Sequence, residues 1–281
     1  PTRSQRARSV LTFFAQDNST HNLVYANDDL SKAGQAREVI TFCDHWKAVS
    51  GNDPRMLIMD QKVTTHAVLG ELDARGVTSL TLRMRSPALV KHIDALTDND
   101  FTTVTLDRPG KFNRPKVHQA TGIRLTNYPG TVRQLVVTGL GRDAPTVIIT
   151  NDHNLPVKAL ITHYARRMTI EQRLAEIIQA FHADALSSAV NLNVDLDIML
   201  CVLAQALIAA LRNRLPGYAN VTPDVLQRRF LETPGTITTS GDTITVHLDR
   251  RAYTPVLRKA DLPHDTRVPW WGNRALRYEL S

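Results

Sequence analysis

Apolar and polar positions alternate from Ser9 to Gln16, and again from His21 to Ala26 after a polar Asp17-Asn-Ser-Thr turn. A period of two predicts an antiparallel hairpin, ended by Asn27-Asp28-Asp29. From Ser31 the period becomes helical: Val39, Ile40, Cys43, Trp46 and Val49 form a stripe that Gly51-Asn-Asp-Pro54 stops. Met56-Leu-Ile-Met59 is an unbroken apolar run, as in strands buried on both faces. Thr64 or Thr65 is placed to cap the next helix and Gly76 to close it, and Val77 to Leu82 gives another strand, running out into Arg83 and Arg85.

Beyond Arg85 the segments Thr102–Asp107, Lys116–Thr126, Thr131–Leu140 and Thr146–Thr150 are β-rich, with Pro-Gly turns and no long helix between them. A helix is expected from Pro156 to about Ala183, and a more apolar one from Ala189 to Leu215, ended by Pro216-Gly217. The longest apolar run, Ile198 to Leu211, is interrupted by Gln205 and is shorter than the roughly 20 residues that cross a bilayer, so it reads as a buried core helix. Pro223 to Glu232 predicts a short helix, and Thr236–Thr239 with Thr243–Leu248 a hairpin around Ser-Gly-Asp. These segments group into residues 1–85, 86–155, 156–216 and 217–281, and no internal repeat is visible.

With 281 residues, 42% of them hydrophobic, the chain can bury a substantial core. A formal charge of +7 favours a polyanionic partner, although soluble Arg-rich enzymes reach similar values. Cys43 and Cys201 are the only cysteines and have no metal-ligand spacing, which predicts neither a disulfide framework nor a zinc site and points to a reducing, cytoplasmic setting. The basic start lacks both an initiator Met and an apolar signal segment, so a fragment is expected.

The candidate chemistry centres on Tyr164, Arg167 and Glu171, which at helical spacing fall within a ~60° arc. A guanidinium beside a phenol suits phosphate contact, and a carboxylate among them can take a divalent metal. The structural alternative is an Arg167–Glu171 ion pair on a solvated face. Asp60 stands at the carboxyl end of the Met56–Met59 strand, where open α/β sheets place ligand sites. Asp152 also ends a strand, but Asn151-Asp152-His-Asn154 reads as turn chemistry. Lys111, Arg114, Lys116, Arg124 and Arg133 could track a phosphate backbone or simply be solvated. Trp270-Trp271 is expected to anchor the tail in the core, with stacking on bases as the alternative.

Tyr164, Arg167 and Glu171 together resemble the tyrosine-arginine-glutamate signature of insertion-sequence DDE transposases, which have a ribonuclease H-like catalytic core. Met59-Asp60-Gln-Lys-Val-Thr-Thr-His66 and Leu82-Arg83-Met-Arg85 resemble that family's second-aspartate segment and the arginine-rich strand end after it. The likeness covers roughly residues 9 to 215. It departs from the family at Ile178, where the signature has a lysine. The resemblance implies an α/β fold: a ribonuclease H-like mixed sheet with flanking helices, interrupted by a β-rich insertion before the helix that carries the catalytic glutamate.

It further implies that Asp60 and Glu171 are catalytic metal ligands for Mg²⁺ or Mn²⁺. Tyr164, Arg167, Arg83, Arg85 and His66 would then contact DNA, with a surface role the alternative for His66 and a solvated role the alternative for Arg83 and Arg85. The first carboxylate is either Asp17 or a residue upstream of Pro1 on a missing first strand. The implied activity is cleavage and strand transfer at transposon ends, with double-stranded DNA as transposon end and target. A homodimer is one open assembly, and the setting is bacterial-type and nucleoid-associated. A chain lacking the first aspartate would be a catalytically dead DNA-binding remnant. A host nuclease indifferent to transposon ends is a third class.

Overall fold

Two short strands, β1 (Phe13–Gln16) and β2 (Leu23–Asn27), occupy the two alternating stretches, and neither joins a larger sheet. The structure, a computed structural model, describes residues 10–108, 111–141, 143–185 and 190–281. The expectations placed on Ser9, the basic run before it and Ala189 lie outside the described residues. The chain divides into two compact units. One takes the described residues through Asn18 together with Asn27–Glu171; the other takes Ser19–Ala26 and Gln172–Ser281.

In the first unit, α1 (Gln35–Ser50) ends where Gly51 adopts φ 84°, a left-handed conformation that costs glycine little. Its stripe is only partly as expected. Val39, Ile40 and Cys43 are buried and Phe42 joins them, but Val49 is exposed. Burial pushes the Cys43 thiol up to about 11, so it stays a neutral apolar filler. β3 (Met56–Ile58), α2 (His66–Ala74) and β4 (Thr78–Leu82) form a parallel crossover, with Thr65 accepting from the Val68 amide to cap the helix. β3 is only half-buried, because it lies at the edge of its sheet, rather than buried on both faces.

Helix α3 (Pro87–Asp94) was not anticipated in the β-rich stretch, although Ser86 caps it by accepting from the Leu89 amide and Pro87 opens it. Then come β5 (Thr102–Thr103), β6 (Lys116–Ile123), β7 (Val132–Thr138) and β8 (Thr146–Thr150), which continue the same sheet in the order β3-β4-β8-β7-β6-β5. Only β3 and β4 are parallel, so the fold is α/β with a six-stranded mixed sheet and flanking helices.

The pleat assigns the two faces. Val132 and Ile149 pack with residues of α1 and α2, while Val136 and Val147, on the same face, pack with Leu89 of α3. Leu135, Val137 and Ile148 point the other way, onto Leu160 and Ile161 of α4 (Val157–Arg166). The helix expected from Pro156 to about Ala183 is two helices, α4 and α5 (Met168–Phe181), interrupted at Arg167. The division between the units falls inside α5.

The second unit contains α6 (Asn191–Arg214), then α7 (Pro223–Leu226) running into a π-helical turn at Gln227–Leu231. β9 (Gly235–Ser240) and β10 (Thr243–Leu248) form the expected antiparallel hairpin. After α8 (Thr254–Arg258), β11 (Thr266–Val268) and β12 (Arg274–Leu280) complete a four-stranded sheet in the order β11-β12-β10-β9. Trp270 and Trp271 do not anchor the tail in the core: they form a tight turn at the surface, and Trp270 is 87% exposed. Nor is α6 the buried core helix expected from its apolar run. Leu192–Arg214 is long and apolar enough to cross a membrane by length and composition, yet only 28% of its most apolar window is buried.

Within this unit Glu176 on α5 accepts from Arg212 of α6 at 2.7 Å and pairs with Arg173 at 2.6 Å. The Arg212 side chain is nearly sealed from solvent, so its charge depends on Glu176 for compensation. Glu176→Ala is expected to lower unfolding stability by about 3–5 kcal/mol, through an unpaired buried guanidinium. A urea midpoint within error of wild type would contradict this.

Candidate functional site

The site is assembled by strand direction. β8 runs antiparallel to β4, with Leu80 opposite Thr150 and Leu82 opposite Ile148, so the chain leaves β8 at the amino ends of β3 and β4. α4 packs on Leu80 through Leu160 and Ile161 and carries the chain back. Its ten residues rise ~15 Å, close to the ~16 Å length of five-residue β4. The return therefore ends near the carboxyl end of β3, just beyond which lies Asp60.

There the Arg167 Nη1 lies 3.8 Å from Asp60 Oδ2 and 3.5 Å from Glu171 Oε1. The two carboxylate oxygens can be no farther apart than the sum of those distances. Asp60 is held locally by its Oδ1, which accepts from the Gln61 amide at 2.7 Å. Glu171 is in the first turn of α5. Both carboxylates are about half exposed, whereas the Arg167 side chain is 15% exposed. Its guanidinium carbon sits 5.6 Å from the Tyr164 ring centroid, at a distance where the ring face attracts a cation. Tyr164 itself packs against the Leu80 and Leu160 cluster. Arg167 Nε is buried without a hydrogen-bond partner among the described residues.

The interruption at Arg167 leaves the trio together. The Arg167 amide donates to the Tyr164 carbonyl and the Ile170 amide to the Arg167 carbonyl, three residues back in each case. That tightened turn keeps helical dihedrals at Arg167. Thr169, which sequence reasoning passed over, donates its hydroxyl to the Arg166 carbonyl at 2.7 Å and also lies 3.1 Å from Gln16 Oε1 at the end of β1. It fixes the turn two residues before Glu171, and nothing in the local spacing marks it.

Other candidates are placed differently. His66 opens α2, half-buried, with Nδ1 3.0 Å from the Thr126 carbonyl oxygen. Arg83 is partly buried, donates to Gln134 Oε1, and has its guanidinium pKa lowered by burial. Arg85 is exposed and donates to the Pro145 carbonyl. Arg133 does not line a phosphate track: it is buried in β7 and donates to the Leu155 carbonyl and, at 2.8 Å, to Gln119 Oε1. Lys111, Arg114, Lys116 and Arg124 are exposed, with Lys116 paired to Asp98. Asp152 is a turn residue as expected, accepting from the Asn154 and Leu155 amides.

Asp17 follows β1, and among the described residues no three His, Cys, Asp or Glu side chains gather as a metal site. Asp60 and Glu171 thus converge as a pair. Comparison with protein-family models, with curated proteins and with solved structures finds no match.

Because Gln134 is almost fully buried, Arg83→Ala is expected to lower stability by roughly 1–3 kcal/mol by leaving the amide oxygen unpaired. Unchanged thermal unfolding alongside a loss of duplex binding would instead assign Arg83 to the ligand.

Proposed function

We propose that the first unit is the catalytic core of an insertion-sequence transposase of the DDE class, with a ribonuclease H-like arrangement. It would cut and join DNA at transposon ends by metal-dependent phosphoryl transfer. The observation supporting this reading is the convergence of Asp60, from a strand end, and Glu171, from a helix start, on one guanidinium. Residues more than a hundred positions apart meet there, and they are the two carboxylates of the resemblance.

The donor set fits a hard divalent ion. Asp60 and Glu171 would hold Mg²⁺ or Mn²⁺, as both offer partly exposed oxygen ligands. Bound there, the metal would supply activation of the attacking oxygen and stabilisation of the leaving oxygen at phosphorus. Arg167 relieves the repulsion between the two carboxylates while the pair is otherwise uncompensated. Its Nη1 contacts to the two acids are long for hydrogen bonds and its Nη2 donates only weakly to the Met168 sulfur at 3.7 Å, so the Nη donors can turn to a DNA phosphate. The Tyr164 ring beside it restricts the guanidinium's position. Exposed Arg85 and half-buried His66 are the further proposed duplex contacts, and Arg83 supports the sheet end beside them.

A second reading, a DNA-binding remnant without turnover, is favoured by one observation: no third carboxylate joins the pair among the described residues. A cleavage assay on end-bearing and random duplexes with Mg²⁺ or Mn²⁺ separates the two. The transposase reading predicts end-dependent cleavage that Asp60→Ala and Glu171→Ala each abolish while duplex binding persists. Wild-type-like cleavage by either variant removes the proposed site, cleavage indifferent to sequence points to a nuclease, and binding without cleavage supports the remnant. In either DNA reading Arg167→Ala should reduce the salt dependence of binding by about one phosphate contact. An unchanged slope would exclude Arg167 from the duplex.

A further inference from the structure

In the second unit β10 and β12 run parallel, with Leu248 opposite Leu280, so their carboxyl ends lie side by side. Helix α8 follows β10 and closes over that end, where Leu257 packs with Leu248 and Leu280. Sheets in which helices follow parallel strands place their ligand sites just outside the carboxyl ends. Here that position holds a cavity of about 430 Å³, within the roughly 300–1,000 Å³ range of small-ligand clefts. Three arginines line it, Arg250 and Arg251 from the turn after β10 and Arg258 from α8, together with Thr254 and Ser281 and no acidic side chain.

The backbone around the cavity is fixed by the fold. The Asp249 amide donates to the Pro234 carbonyl at 2.9 Å, and the Ser281 amide to the Leu248 carbonyl at 3.2 Å. Buried Thr254 accepts from the Arg251 amide at 2.8 Å through its hydroxyl, while its own amide donates to the Arg251 carbonyl at 3.0 Å.

The guanidinium groups have no such constraint. Elsewhere in this unit Arg173 and Arg212 share Glu176, Arg267 pairs with Asp242 and Arg277 with Asp265. The exposed Arg250 and Arg251 side chains make neither a hydrogen bond nor an ion pair among the described residues. Arg258 uses only Nη2, which donates to the Leu280 and Ser281 carbonyls at 3.1 and 3.4 Å. Three like charges around one cavity repel one another, and an anion between them removes that cost.

We infer that this cavity binds a phosphate group carrying more than one negative charge, as a terminal phosphomonoester or a pyrophosphate. A guanidinium can give two parallel hydrogen bonds to phosphate oxygens. Three of them supply more positive charge than a single internal phosphodiester balances, whereas a terminal phosphate carries about −1.5 to −2 at neutral pH. The inference does not rest on the metal chemistry proposed for Asp60 and Glu171.

Calorimetric titration of the whole chain with inorganic pyrophosphate tests the site. Low salt and the absence of divalent metal keep the carboxylate pair out of the measurement. The expected result is one pyrophosphate per chain, with a dissociation constant raised at least about tenfold in Arg250→Gln and in Arg251→Gln, the loss of a charged hydrogen-bond donor. Both variants should keep the wild-type circular dichroism and thermal unfolding, and Arg267→Gln, which removes a carboxylate-paired charge of the same unit, should bind as wild type does. Competition identifies the source of the phosphate. Displacement by a 5′-phosphorylated duplex, and not by its 5′-hydroxyl counterpart, supports a phosphate carried on a nucleic-acid end; displacement by neither supports a small phosphate compound. Equal displacement by both overturns the inference in favour of ordinary backbone contact. Absence of binding at about 10 mM pyrophosphate overturns it too, as does binding that is indifferent to Arg250→Gln and Arg251→Gln or equally weakened by Arg267→Gln.

Discussion

Strand β4 is the constraint on which the first unit depends. It is parallel to β3 on one side and antiparallel to β8 on the other, so it is where the sheet changes sense. The parallel pair requires a crossover, which α2 supplies. The antiparallel pair delivers the chain to the opposite end of the sheet, and α4 must bring it back. Asn151 locks that change: its Oδ1 accepts from the Ser79 amide at 2.8 Å, and its Nδ2 donates to Asp73 at 2.7 Å and to the Val77 carbonyl at 3.0 Å. Tyr128 donates to the other Asp73 oxygen, tying in the loop before β7. One side chain thus joins the start of β4, the end of β8 and the far end of α2, and the meeting of Asp60 with Arg167 follows from that geometry.

The pair of carboxylates would repel each other without a cation, and Arg167 supplies one from inside the chain. Its position is set by packing more than by hydrogen bonds: most of the side chain is buried, next to an aromatic ring, while its contacts to the two acids are long. Such contacts are cheap to break, because partly solvated ion pairs at this distance contribute little. On the proposed metal-dependent reading, the site would exchange this internal cation for an external one and present the released guanidinium to a phosphate, a use for that weakness.

Much of this was legible in the chain. The β9–β10 hairpin, the Thr65 cap and the turn at Asp152 follow from local spacing and turn chemistry, which act over a few residues. The closeness of Tyr164, Arg167 and Glu171 survived the break at Arg167 because the break keeps helical dihedrals. What escaped depends on distant partners. Arg133 and Arg83 read as surface cations until Gln119, Leu155 and Gln134 are seen to receive them. β3 reads as an interior strand because its residues cannot reveal that nothing pairs with its outer edge among the described residues. α6 has apolar residues on two opposite faces, so no periodicity could tell which of them the fold would use. α3 is different: Ser86-Pro87 announced it, and the β-rich sequence beyond it obscured the signal.

The most direct test of the central claim is anomalous diffraction from crystals grown with Mn²⁺ and a short duplex. The account predicts a manganese peak coordinated by both Asp60 and Glu171, with the Arg167 guanidinium moved from between them onto a phosphate. A peak held by other side chains, or Asp60 and Glu171 sharing no ion while Arg167 stays between them, would contradict it.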